Sequence, residues 1–234
     1  MAIKRISSQR KTLGDAIYSH LRDEIISLRL QPGEMVYESD LAAAFGVSRT
    51  PVREAFRLLV AEEFIEILPQ RGARIAYISK RKVEEAWFIR ESLEVSAFKK
   101  VARSWDDTEE RFQRLKDQIL QNVEEQKKAA SQEDYTEFFH LDEIFHRMIL
   151  EQANNLTLLS FIDQVRGHVN RMRYLEFHET KETSRIVADH EELFRAIQSG
   201  DEAATEAVLI RHLRQSTTYS QQLFEKNPNY FLID

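Results

Sequence analysis

Apolar positions recur at Leu13, Ile17, Leu21, Ile25 and Leu28, a helical period that starts behind a good cap residue, Thr12. Gln31-Pro32-Gly33 ends that helix. A short second helix is predicted over Asp40–Phe45, capped by Ser39 and stopped by a left-handed Gly46. Ser48 then caps a third helix, with Pro51 in its first turn, where a missing N–H does no harm. Val52, Ala55, Phe56, Leu59 and Val60 form its buried stripe, while Arg49, Arg53 and Arg57 share another face. The period then changes. Phe64–Leu68 and Ala73–Tyr77 read as two strands, turned by Gln70-Arg71-Gly72. From residue 80 helical periodicity returns and persists, predicting helices near 80–103, 108–129, 132–153, 155–177, 183–199 and 202–225. Asp107, Ser131, Asn154 and Asp201 are the expected caps, and Gly200 a stop.

The fold class is mostly α: an N-terminal winged helix-turn-helix followed by a C-terminal antiparallel all-helical bundle of about six helices. Composition agrees, since only 6 Gly and 4 Pro leave little for a turn-rich β architecture. The 42% hydrophobic content suffices for a core. There is no Cys, so disulfides and thiolate metal sites are excluded. No apolar run of membrane-spanning length occurs, and the N-terminus lacks a signal core; no membrane partner is expected, and cytoplasmic localisation is.

Net charge changes the picture only when resolved by position. The total is −6, which argues against a nucleic-acid partner. Yet residues 1–78 hold 11 basic against 10 acidic side chains, and the remaining 156 residues hold 22 against 29. The acidic excess thus belongs to the C-terminal part. The expected organisation is a winged helix-turn-helix domain over 1–78, a linker at 79–82, a helical domain over 83–225, and a tail over 226–234.

In the first domain, an arginine fork suits guanine O6/N7 or phosphate. Hydroxyls at a helix N-terminus suit phosphate. The run Leu30-Gln31-Pro32-Gly33-Glu34, Glu38-Ser39-Asp40-Leu41-Ala42 and Phe45-Gly46-Val47-Ser48-Arg49-Thr50-Pro51-Val52-Arg53-Glu54-Ala55 closely resembles the DNA-binding domain of GntR-family bacterial transcriptional regulators. The resemblance implies DNA contacts at Ser48, Arg49, Thr50 and Arg53 of the recognition helix, and at Arg71 and Gly72 of the wing. One departure stands out: Glu62-Glu63-Phe64 replaces the family's usual Glu-Gly-Leu before the wing.

In the second domain, Asp142 and His146 lie one turn apart on one helix face. His190 sits among Ile186, Leu193, Phe194 and Ile197, and His212 below Val208 and Leu209. Three helices therefore turn metal-competent groups toward the interior, although a hydrogen-bonded core histidine is the plainer explanation of each one alone. Such a set suits Zn, Ni or Mn. His20, His140, His168 and His178 show no such pattern. The islands Asp142-x-x-x-His146, Asp189-His190-x-x-Leu193 and Ala207-x-x-x-x-His212-Leu213 resemble the FCD effector-binding domain of FadR-type GntR regulators. That resemblance implies a divalent metal ion on Asp142, His146, His190 and His212, and a small carboxylate effector beside it. Arg90 matches a frequent basic position near the pocket, with a salt bridge to Glu94 as the alternative; Asn170 and Arg173 are further effector candidates. The function expected is a ligand-responsive, homodimeric regulator of a pseudo-palindromic double-stranded operator, not an enzyme. A metalloenzyme and a constitutive DNA-binding protein are the alternatives. No contiguous His-Asp pair, phosphate loop or nucleophile elbow favours the former.

Overall fold

The computed structural model describes residues 12–218 and 220–232. The expectation of no signal core falls on residues 1–11, outside them. The chain divides into two compact units, Met1–Tyr77 and Ile78–Asp234.

Helix α1 (Leu13–Ile26) opens on a reciprocal capping box: the Thr12 hydroxyl accepts from the Asp15 N–H, and the Asp15 carboxylate from the Thr12 N–H. Helix α2 spans Glu38–Phe45 and starts earlier than the sequence pattern suggests. Tyr37, not Ser39, holds the N-cap position, and the Ser39 hydroxyl donates to Asp40. Glu38 and Asp40 in the first turn complement its exposed amides, so a hydroxyl cap is dispensable. Gly46 ends it in the left-handed region (φ 64°) as expected. Helix α3 (Arg49–Ala61) follows Ser48, whose hydroxyl makes no capping bond.

Val52, Ala55, Phe56 and Leu59 of α3 bury against Ile17, Leu21 and Ile25 of α1. Val60 was expected in that stripe but is 38% exposed, because it lies about 100° round the helix from Leu59. Gly14 faces α3 closely: a Cβ there would come within 2.7 Å of the Glu54 carboxylate and 3.2 Å of its Cβ, so Glu54 would have to shift. At the α3 C-terminus, Glu62 accepts from Arg22 Nε (2.9 Å) and from the Tyr18 hydroxyl. Glu63, standing where the family has glycine, adopts φ 58°.

Strands β1 (Met35–Val36), β2 (Ile65–Leu68) and β3 (Gly72–Ile75) form an antiparallel sheet ordered β1-β3-β2. β1 escaped the sequence reading because two residues are too few to show alternation.

The second unit is helical: α4 (Lys80–Arg103), α5 (Glu110–Ser131), α6 (Tyr135–Gln152), α7 (Leu156–Thr180), α8 (Thr183–Gln198), α9 (Glu202–Thr218) and α10 (Ser220–Lys226). Segments α9 and α10 together cover the span expected at 202–225, and residue 219 between them lies outside the described residues. Ser79 caps α4, so residues 80–82 form its first turn. Asp201 accepts from the Ala204 N–H, and Gly200 is left-handed (φ 70°), as anticipated. Three other caps shift. The observed N-caps are Glu109, Asp134 and Asn155 rather than Asp107, Ser131 and Asn154. Ser131 closes α5, and Asn154 turns left-handed (φ 48°) to end α6.

Phe98, Phe112, Phe138, Phe145, Met172 and Ile197 anchor the core of this unit. The segment after α10 is integrated into it. Phe231 pairs in parallel with Ile78, whose N–H donates to the Tyr230 carbonyl (2.9 Å) and whose carbonyl accepts from Leu232 (3.0 Å).

Candidate functional site

In the first unit, Ser48, Arg49, Thr50, Arg53 and Arg57 are exposed along α3, and Arg71 is exposed at the hairpin tip. Gly72 (φ 97°) lets the wing close onto Tyr37, because a Cβ there would meet the Tyr37 ring at 2.7 Å. Leu68 and Gly72 face each other across the β2–β3 hairpin, so the Pro69-Gln70-Arg71 turn projects Arg71. Arg53 is not free in this surface: its Nε and Nη2 donate to the Glu38 carboxylate at 3.1 and 2.8 Å.

In the second unit, α6, α8 and α9 bring Asp142, His146, His190 and His212 together. One ligand atom from each lies within 4.8 Å of the others, and all four residues are buried. The His146 and His212 Nε2 atoms are 3.1 Å apart. Two nitrogens sharing an ion at about 2.0–2.1 Å would be separated by about 3 Å, so this spacing suits common ligation. Asp142 Oδ1 and His190 Nε2 face one another at 3.5 Å, and neither has a hydrogen-bond partner. Buried polar atoms left this way cost free energy unless something else satisfies them. The donor set therefore fits a divalent cation.

Neighbouring helices orient these ligands. His146 Nδ1 lies 2.9 Å from Glu94 on α4, and His190 Nδ1 lies 2.8 Å from Gln126 Oε1 on α5. His212 Nδ1 faces Asp189 at 3.7 Å. A ring whose Nδ1–H points to an acceptor keeps its Nε2 lone pair for a metal. Gln126 is oriented in turn: its Nε2 donates to Asn122 Oδ1 (2.7 Å), and Asn122 Nδ2 donates to the Leu141 carbonyl (3.1 Å). Phe145 stacks on His190 with centroids 4.0 Å apart. Burial pulls His146 down to about 4 and His190 well below its ordinary value, so both rings are neutral near pH 7. Burial acts in the opposite sense on Asp142, but the Arg173 guanidinium and the surrounding histidines hold its carboxyl well below the usual range.

Around the cluster runs a buried network of arginines and acids. Arg173 contacts Asp142 Oδ2 and Glu143 Oε1; Arg166 also donates to Glu143, and Asn170 Nδ2 donates to Glu143 Oε2. Arg90 pairs with Glu94 at 2.7 Å, both essentially inaccessible. That ion pair is real, and Arg90 also lines a cleft with Arg173, Glu176, Arg185, His212 and Gln215. The cleft holds only ≈ 10 Å³, room for about one water. Asn170 is turned to Glu143 instead. Gln126 and Arg166 escaped the sequence reading, as did the roles of Glu94, Asp189 and Glu143 behind the ligands; Glu94 was read only as the partner of Arg90. The discernible signals were an acid at Glu94 on the apolar face of α4, and Gln126 between the buried Val123 and Ala129 of α5.

A winged helix-turn-helix followed by a helical unit with an inward-facing polar cluster is the plan of a DNA-binding transcriptional regulator with a helical second domain. The chain belongs to the gntR family of bacterial regulatory proteins: that family's model matches residues 13–75, and the FCD domain model matches residues 85–215. It is 30% identical to an uncharacterized HTH-type transcriptional regulator in an unstable DNA locus of Streptomyces ambofaciens, over 93% of this chain and 89% of that one. It is 29% identical to the HTH-type transcriptional repressor RspR of Escherichia coli strain K12, over 99% of both. A gluconate operon transcriptional repressor of Bacillus licheniformis is 28% identical over 82% of this chain and 78% of its own length. The solved structure of E. coli McbR/YncC has the same fold, with TM-score 0.80 and 20% identity, covering 91% of this chain and 99% of that one. These families and relatives are regulators rather than enzymes. No helix among the described residues is long and apolar enough to cross a membrane.

Proposed function

We propose that this regulator binds a pseudo-palindromic operator as a homodimer, and that a small carboxylate metabolite changes its operator affinity. Ser48, Arg49, Thr50 and Arg53 enter the DNA groove, and Arg71 and Gly72 of the wing follow the adjacent backbone. Asp142, His146, His190 and His212 hold a divalent ion, Zn, Ni or Mn. When bound, that ion supplies a Lewis-acidic position for a carboxylate oxygen. Arg90 and Arg173 flank the position, and Asn170 acts through Glu143. The observation that carries this reading is the convergence of four buried ligand atoms, two of them unpartnered, beside an arginine-lined cleft. The gluconate operon repressor among the relatives makes sugar acids the first ligands to try.

The test combines elemental analysis with ligand-dependent melting. Purified protein should carry about one equivalent of divalent metal, and His190→Ala/His212→Ala should carry none. Sugar acids, hydroxy acids and dicarboxylates should raise the melting temperature only in metal-loaded protein. Equal, negligible metal in both proteins would leave the histidines as satisfied core residues.

A further inference from the structure

Four arginines project from α3 and the wing tip, and they are not equivalent. Among the described residues, Arg57 and Arg71 have no acidic partner and Arg49 only feels the Glu38 charge without bonding to it, whereas Arg53 is held side-on by Glu38. Its Nε and Nη2 donate to the two carboxylate oxygens at 3.1 and 2.8 Å. A guanidinium has five N–H groups in a planar fork. The Glu38 contact uses the Nε/Nη2 edge. It leaves the outer edge, both Nη1 hydrogens and one on Nη2, directed away from the acid. That edge still offers two parallel donors, one from each terminal nitrogen, the pairing that guanine O6 and N7 accept. Arg53 remains 63% exposed, so its fork is accessible.

Charge separates the two kinds of target. The Arg53–Glu38 pair is neutral as a unit, so it gains little from a phosphate, which its carboxylate repels. A guanine edge carries no net charge and asks only for aligned donors. Glu38 is well placed to hold this geometry because it is the first residue of α2, next to Tyr37, the ring on which Gly72 closes the wing. We infer that Glu38 is a positioning residue that dedicates Arg53 to reading a base edge, leaving phosphate contacts to Arg49, Arg57 and Arg71. This rests on the proposal that α3 faces DNA.

The experiment uses the full chain and an operator enriched by it from random duplexes. Affinity for that duplex, for single-base variants of it and for unrelated DNA is measured across a salt series. Arg53→Ala should abolish the preference at one guanine, a loss of about 10-fold or more in discrimination, with the salt slope unchanged. Arg53→Lys, which keeps charge but not the fork, should do the same. Glu38→Gln should steepen the slope by about one and tighten binding to unrelated DNA, lowering the specificity ratio. Arg57→Ala should flatten the slope by about one and spare base preference. The inference is overturned if Arg53→Ala flattens the slope while base preference survives, or if Glu38→Gln alters neither slope nor ratio. If all four variants, Arg57→Ala included, bind like the parent, the DNA-facing role of α3 itself falls.

Discussion

At the scale of single residues, the informative positions are those where side chain and backbone disagree. Glu63 occupies φ 58°, a region that glycine enters at no steric cost, at the position where the family's Glu-Gly-Leu motif has its glycine. The α3-to-β2 turn therefore keeps its geometry despite the substitution and bears strain. Glu63→Gly should raise stability by about 0.5–1 kcal/mol, relief of strain outweighing the extra freedom of the unfolded chain. Urea unfolding monitored by circular dichroism would show it as a higher midpoint at unchanged slope. His146 is strained in a different sense: burial lowers its affinity for protons, to a value of about 4. The unfolded chain, with an ordinary imidazole, binds more protons than the fold between roughly pH 6.5 and 4. Stability of chelator-treated protein should accordingly be full above that window and decline as pH falls through it, with His190 acting in the same direction. Denaturation midpoints at pH 7, 6 and 5 test the sign; a flat profile would show that these rings are protonated in the fold.

At the scale of elements, ligand-bearing helices depend on helices that bear no ligand. Alpha-helix α5 contributes nothing to the candidate metal set, yet its Asn122–Gln126 relay fixes the ring of His190 on α8. Gln126→Leu would leave the His190 Nδ1–H buried without an acceptor, a cost of about 1–3 kcal/mol. The same change should weaken metal binding about 10–100-fold, read by competition with a chromophoric chelator. Unchanged affinity would mean that stacking on Phe145 alone orients the ring. The relay also shows what a sequence does and does not reveal. Asp142, His146, His190 and His212 were legible because each interrupts an apolar stripe of 3.6 period, a local signal. Gln126 pairs with a residue 64 positions away, and Glu94 with one 52 away, and no short-range spacing encodes such partners. Helix α4 was read to the residue because its period runs unbroken from Lys80 to Arg103. Strand β1 and the Phe231–Ile78 pairing were invisible, since a two-residue strand and a single bridge exist only through non-local partners.

At the scale of the whole molecule, charge and core divide the chain in the same way. A nearly neutral winged unit and an acidic helical unit each bury their own hydrophobic residues, and the boundary falls between Tyr77 and Ile78. A neutral reader attracts DNA weakly at long range, so sequence-specific affinity must come from a few placed arginines. The repulsive charge sits instead on the unit that carries the ligand cluster. All four candidate metal ligands, with Glu94, Gln126 and Asp189 behind them, lie within Ile78–Asp234. A ligand that binds only the folded form of one unit stabilises that unit by mass action, about 4 kcal/mol at 1,000-fold its dissociation constant. For a unit of this size such a gain raises the melting temperature by about 10 °C. Calorimetry of the intact chain should thus resolve two transitions, of which Zn²⁺ moves the helical one upward and leaves the winged one in place. A chelator should reverse the shift, and His190→Ala/His212→Ala should abolish it. If both transitions rise together, the two units unfold as one cooperative body, and metal occupancy in the helical unit then adds directly to the stability of the DNA reader. If neither moves, the His/Asp cluster is no metal site, and the unpartnered Asp142 Oδ1 and His190 Nε2 must be satisfied by buried water.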